Sequence, residues 1–261
     1  MHKVEIEKYD LSTKTSKTVT DSVAEEKPLH LFVNTTYWAT ILCSPSNLKE
    51  MAVGHLLSEG ILKSTAEIEE VNLKETVGAC LVKLKSEINV DERLSLSRLH
   101  HRIVTSACGE QSIYQYQRKP AKLTSNLKVK AEVVFNSVKQ LNFKAKVFRQ
   151  TGGVHAAAIY KADGSLVALA EDVGRHNAVD KVIGMAALMQ TSFGKCFLTS
   201  TGRLSGDVVF KASKVGLPIV ASLSAALDSG VAMAKAANLT LAGFVRGKRM
   251  NIYNAPKRIT F

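Results

Sequence analysis

From residue 155 onward the sequence alternates runs of two kinds, and this alternation restricts the fold more than any other feature. AAAIY and SLVALA are short apolar runs joined through Asp163-Gly164, a pair that suits a hairpin turn. A helical pattern follows over 178–189, with Val179, Val182, Ile183 and Ala186 on one buried face. Then come a strand CFLTS, a helix over 207–215 stopped by Gly216, and a strand IVAS after Pro218. A helix over 229–237 and a strand LTLAGFV complete the series. With a further helix near 131–141, the order implies a sheet with helices packed on it, an α/β layer.

The first half reads differently. Runs near 4–9, 29–33, 38–43, 68–73 and 79–84 have the β-branched or alternating character of strands. Among them, SPSNLKEMAVGHLLSEG predicts one helix, with Asn47 and Glu50 placed for a capping box and Gly60 as its stop. Residues 118–130 turn basic and polar around Pro120, the expected domain connection. The chain is therefore expected to hold a small α+β domain over 1–125 and an α/β domain over 126–261.

The 261 residues include 46% hydrophobic and 22% charged residues, ordinary for a globular chain. Cys43, Cys80, Cys108 and Cys196 are far apart and form no CxxC pair, which argues against a structural metal or a disulfide scaffold. MHKVEIEKYD carries no apolar stretch of signal-peptide type, and the run around GLPIVASLSAAL is too short to span a bilayer. These features predict a cytoplasmic protein with no membrane partner. A formal net charge of +12 favours an anionic partner, but no aromatics interleave with a basic run, so a nucleic acid partner is not expected.

Four segments stand out chemically. TSACGEQS places Cys108 beside Gly109 in a polar stretch, whereas a buried cysteine usually has apolar neighbours. QTGGVHAAA sets His155 behind paired glycines, where a satisfied core histidine is the ordinary alternative. EDVGRHNAVDK packs six ionisable residues into eleven positions at a helix start, with Arg175 and His176 where anions are favoured. A capped helix start explains it as readily. GFVRGKRMNIY groups Arg246, Lys248 and Arg249 around Gly247 at a strand end, a phosphate cradle or else a solvated hairpin tip. Gly202 and Gly206 in STGRLSGD could admit a second phosphate.

TGGVHAAA, EDVGRHNAVDKVIG, TSTGRLSGD, GLPIVASLSA and LTLAGFVRGKRMNIY, in that order, resemble the FdhD/NarQ family of formate dehydrogenase accessory sulfurtransferases. SEGIL and TSACG extend the likeness into the first half. The resemblance implies a second domain of cytidine deaminase-like, three-layer α/β fold. It also implies a persulfide carrier that receives sulfur from a cysteine desulfurase. The sulfur passes to the molybdenum cofactor, bis(molybdopterin guanine dinucleotide), of formate dehydrogenase. Cys108 inherits the acceptor role. The cofactor-binding stretch falls on Phe244, Val245, Arg246, Gly247, Lys248 and Arg249, with His155, Arg175 and His176 as further candidates. No metal of its own is implied, and a homodimer is expected.

The chemistry agrees with the inherited role. A carrier thiolate must meet two partners, which suits a loop, and His100, His101 and Arg102 add positive charge upstream of Cys108. Many members carry a second cysteine, CGxC, where this chain has CGEQ, so the sequence is compatible with a single-cysteine relay. Three rivals make distinct demands. A zinc deaminase needs a glutamate beside its His and a P-C-x-x-C ligand pair; here His155 is followed by Ala156-Ala157, and Pro218 by Ile219-Val220. A cysteine hydrolase pairing Cys108 with His155 or His176 needs an oxyanion hole, and no such segment is recognisable. A chaperone that binds and delivers the guanine dinucleotide cofactor, without sulfur chemistry, needs only the cationic stretch.

Overall fold

The computed structural model describes residues 1–89, 93, 102–104 (backbone only) and 119–261. Cys108, with the rest of TSACGEQS and with His100 and His101, lies outside the described residues.

The chain begins with an antiparallel ribbon, β1 (His2–Asp10) and β2 (Thr15–Val23), almost wholly exposed. The alternation in β1 is legible in sequence, whereas the polar TSKTVTDSV of β2 hides its strand. Next come β3 (Lys27–Val33), β4 (Thr36–Cys43), the helix α1 (Leu48–Ser58), β5 (Ile68–Lys74), β6 (Ala79–Leu84) and β7 (Arg102–Val104). These strands form a mixed sheet in the order β5-β6-β3-β4-β7. The expected capping box does not form at α1. Asn47 sits in the left-handed region (φ 54°) and its side chain makes no cap; its carbonyl takes the Met51 N–H instead. Gly60 (φ 79°) follows the helix as predicted.

The second half contains β8 (Val129–Lys130), α2 (Ala131–Lys144), α3 (Lys146–Thr151), β9 (His155–Lys161), β10 (Leu166–Asp172) and α4 (Arg175–Leu188). It continues through β11 (Cys196–Ser200), α5 (Gly206–Val215), β12 (Ile219–Ser222), α6 (Asp228–Ala237), β13 (Thr240–Arg246), β14 (Arg249–Asn254) and β15 (Ile259–Thr260). Six strands pair in the order β10-β9-β11-β12-β13-β14, with β11, β12 and β13 parallel. Both faces are covered, as a sheet with parallel centre requires. Ala157 and Ile159 of β9 join the core on the α4 side, while Ala156, Ala158 and Tyr160 join Val134, Val138 and Leu141 of α2 on the other. The mixed α/β architecture is the one expected. Among the described residues no helix is long and apolar enough to cross a membrane.

One core runs from the first sheet through α1 and α4 into the second, containing Leu31, Ile41, Met51, Val182, Ile159 and Leu198 alike. The two helices meet backbone to backbone. A Cβ on Gly54 would lie 1.8 Å from the Asp180 carbonyl oxygen, and one on Gly184 would lie 1.9 Å from that of Glu50. Only glycine permits this crossing.

Candidate functional site

The carboxyl ends of β10, β11, β12 and β13 lie on one edge of the six-stranded sheet, and the antiparallel β9 begins there at His155. Helices α4, α5 and α6 start from the same edge. In sheets of this kind the crevice outside the strand ends is the usual ligand position. The edge loops are stitched together. The Ser222 hydroxyl donates to the Gly202 carbonyl (2.6 Å), Leu204 N–H donates to Ala225 O, and Phe244 N–H donates to Ser224 O.

At one end of this edge stands the β13–β14 hairpin. Its tip exposes Arg246, Gly247, Lys248 and Arg249, while Val245 is buried beneath them. The register slips between Gly243 and Arg246, and Phe244 takes a positive φ of 52°, unusual for a residue with a Cβ. Its ring lies under the Arg246 guanidinium, 5.3 Å from centroid to Cζ. Gly247 (φ 65°) has nothing within 4 Å of a notional Cβ, so its surroundings are open. The hairpin presents three cations to solvent around an accessible turn.

His155 and Arg175 are brought together at the other end, three strands away, about 14 Å across the sheet at ordinary strand spacing. His155 pairs with Asp172 in register, and its Nδ1 lies 3.4 Å from Thr201 Oγ1. Burial, then the charges of Arg175 and Arg203, lower its pKa; Asp172 opposes them. The Arg175 side chain lies over Gly202, where a Cβ would meet it at 2.8 Å. Sequence reasoning offered that glycine to a phosphate; the protein fills the space with Arg175. The open side of Gly206 is likewise taken by Ser229, and Gly153 backs onto Ala24.

His176 has a different partner from His155. Its Nε2 is 3.1 Å from Ser205 Oγ, at the residue before α5. Burial, reinforced by Arg175 and Lys211, pushes its pKa down to about 3. It therefore stays neutral.

Asp172, Asn177, Asp180 and Lys181 of EDVGRHNAVDK belong to two buried networks that sequence reasoning missed. Asp172, wholly buried, accepts from Ser44 N–H (2.9 Å), Gly174 N–H (2.8 Å), Asn177 Nδ2 (2.9 Å) and Lys181 Nζ (2.7 Å). Asp180 accepts from the Ser58 hydroxyl (2.6 Å) and Lys211 Nζ (2.8 Å), with His55 Nδ1 at 3.1 Å, and Lys211 also reaches Glu59 (3.1 Å). Burial alone would raise the pKa of Asp180, but Lys211 and His55 carry it below its ordinary value. The bonds from Asp172 to Ser44 and from Asp180 to Ser58 and Lys211 span 128, 122 and 31 positions, and no spacing rule connects them.

Cys43, Cys80 and Cys196 are buried in β4, β6 and β11. Burial, with the Asp172 charge adding to it, pushes the Cys43 thiol up to about 12; burial pushes Cys80 up to about 11 and raises Cys196 as well. None of the three offers a thiolate near neutrality. Among the described residues no three His, Cys, Asp or Glu side chains converge to hold a metal.

A model of the FdhD/NarQ family matches residues 24–260. The chain belongs to the FdhD/NarQ family. It is 37% identical to the sulfur carrier protein FdhD of Saccharolobus solfataricus, covering 98% of this chain and 99% of that one. It is 36% identical to the protein of the same name from Bacillus pumilus, covering 92% and 91%. A solved structure assigned as a formate dehydrogenase accessory protein, from Desulfotalea psychrophila, superposes with a TM-score of 0.80 at 25% identity, covering 99% of each chain. The FdhD/NarQ match thus spans both sheets and takes in the strand-end edge and the cationic hairpin.

Proposed function

We propose that this protein is a cytoplasmic sulfur carrier that activates formate dehydrogenase, with Cys108 as acceptor and the strand-end edge as the seat of a guanine dinucleotide molybdenum cofactor, its substrate. The Cys108 thiolate attacks the outer sulfur of a cysteine persulfide on a desulfurase. A new S–S bond forms on Cys108, the desulfurase S–S bond breaks, and the desulfurase cysteine leaves as thiolate. Loading is balanced without an external oxidant or reductant.

The cationic hairpin carries the cofactor reading. Arg246, Lys248 and Arg249 are exposed around Gly247, a donor set suited to pyrophosphate, and Phe244 offers an aromatic face beside them. His155 and Arg175 mark the far end of an elongated site. The chemistry of the other cysteines supports Cys108, since all three are buried thiols. Topology supports it too. β7 runs parallel to β4 with Val104 beside Ile41, so β7 ends on the side where β4 ends at Cys43, just before Ser44. Ser44 bonds to Asp172 and Val173, next to the α4 end of the edge. Because this chain has CGEQ in place of CGxC, the alternative is a chaperone that binds the cofactor without carrying sulfur.

Intact mass after incubation with a cysteine desulfurase and cysteine separates the two. A gain of one sulfur, lost in Cys108→Ala but kept in Cys196→Ala, is the expected result. Formate dehydrogenase activation should then be abolished by Cys108→Ala. Persulfide on another cysteine, or full activation by Cys108→Ala, would overturn the carrier reading. Changing Arg246, Lys248 and Arg249 together to Ala should weaken GDP binding and flatten its salt dependence. Unchanged GDP affinity at low salt would place the cofactor elsewhere.

A further inference from the structure

Asp172 is the convergence point of three chain segments. Its carboxylate takes donors from Ser44, which follows β4, from Gly174 and Asn177 at the start of α4, and from Lys181 two turns further on. The joint closes on itself. Lys181 Nζ also donates to Ser44 O (2.9 Å), Asn177 Nδ2 donates to Leu42 O (2.8 Å), and Ser44 Oγ accepts from Val173 N–H (3.1 Å). Both charged groups are inaccessible to solvent.

A buried ion pair is a poor means of gaining stability, because apolar or neutral replacements of both partners often fold as well or better. What a multiply bonded carboxylate supplies is a fixed geometry. Here it fixes residues 173–177, the turn that contains Arg175. Gly174, the residue before α4, has no side chain to cap the helix, so the carboxylate two positions upstream takes over the turn. His155 stands opposite Asp172 on β9, so the same joint sets both ends of the His155–Arg175 pair. The Arg175 side chain is in turn laid on Gly202, in the loop after β11.

We propose that Asp172 and Lys181 are positioning residues that hold the first turn of α4, and with it Arg175 and His155, in the geometry the strand-end site needs. The proposal rests on the reading of that edge as the cofactor seat.

The test uses the full chain with Asp172→Asn and Lys181→Met combined, so that no unpaired buried charge remains. Three results are expected. The double variant melts within a few degrees of the parent and loads sulfur on Cys108 at the parental rate. Its affinity for GDP falls about tenfold. Amide hydrogen exchange at residues 174–177 quickens at least tenfold, while 182–187 keep parental protection. Restoring Asp172 and Lys181 restores affinity and protection together. GDP affinity within twofold of the parent overturns the proposal, as does unaltered exchange at 174–177. Loss of melting temperature, sulfur loading and GDP binding in proportion also overturns it, since that is the mark of a merely structural pair. If the parent itself does not bind GDP, the cofactor reading of the edge fails, and the exchange measurement, which needs no ligand, still decides the role of the joint.

Discussion

His176 shows how far surroundings move a side chain from its sequence reading. EDVGRHN places it at a helix start suited to anions, yet the structure gives it Ser205 and positive neighbours and holds its pKa at about 3. Its unfolded value lies near 6.5, so the unfolded state binds the extra proton between those limits. The contribution is therefore fully present above pH 6.5 and is lost progressively as pH falls toward 3. The linkage ceiling between pH 7 and pH 5 is about 2 kcal/mol, and the ring keeps some solvent contact, so about 1 kcal/mol is expected. His176→Gln, which can keep a bond to Ser205, should lose about 1 kcal/mol less than the parent between those pH values by urea denaturation. His155 is shifted in the same direction and acts equally in both proteins. Parallel pH dependences would show that His176 titrates normally.

At the scale of elements, the crossing of α1 and α4 governs the relation of the two sheets. Gly54 and Gly184 let each helix backbone rest on the other, with no space for a methyl group on either side. Gly54→Ala should cost about 3 kcal/mol or more, because a helix backbone and not a side chain must move. Gly194→Ala is the control. Nothing lies within 4 Å of its notional Cβ and its backbone is not left-handed, so its stability should stay within about 0.5 kcal/mol of the parent. Urea midpoints of the two variants check this. A mild effect of Gly54→Ala would mean that the helices can slide apart, and the buried networks between them would then be secondary.

At the scale of the whole molecule, the shared core and the two ionic networks join the halves that composition separates near residue 120. A single cooperative unfolding transition is expected in spite of two separate large sheets. Trp38, the only tryptophan, reports on the first sheet, while far-UV circular dichroism reports on both. The two probes should give coincident denaturation curves. Separated curves would show that the halves unfold independently and that α1 and α4 part first.

The sequence by itself determined the β–α alternation after residue 155, the hairpins at Asp163-Gly164 and Gly247, the Gly216 stop and the three strand-bound cysteines. These depend on local rules: period, turn chemistry and the missing Cβ of glycine. It also marked out the cationic hairpin, because consecutive charges at a strand end need no partner to be recognised. It could not show that Gly202 is filled by Arg175 or that Asp172 is bonded to Ser44, 128 positions away. Nor could it show that β2 pairs residue for residue with β1, since the polar TSKTVTDSV carries no alternation. The capping box at Asn47 was locally well formed in sequence and was set aside when the chain entered α1 through a left-handed residue. Such choices rest on which distant backbone and charge come to lie alongside, and only the packed tertiary structure brings them within hydrogen-bonding distance.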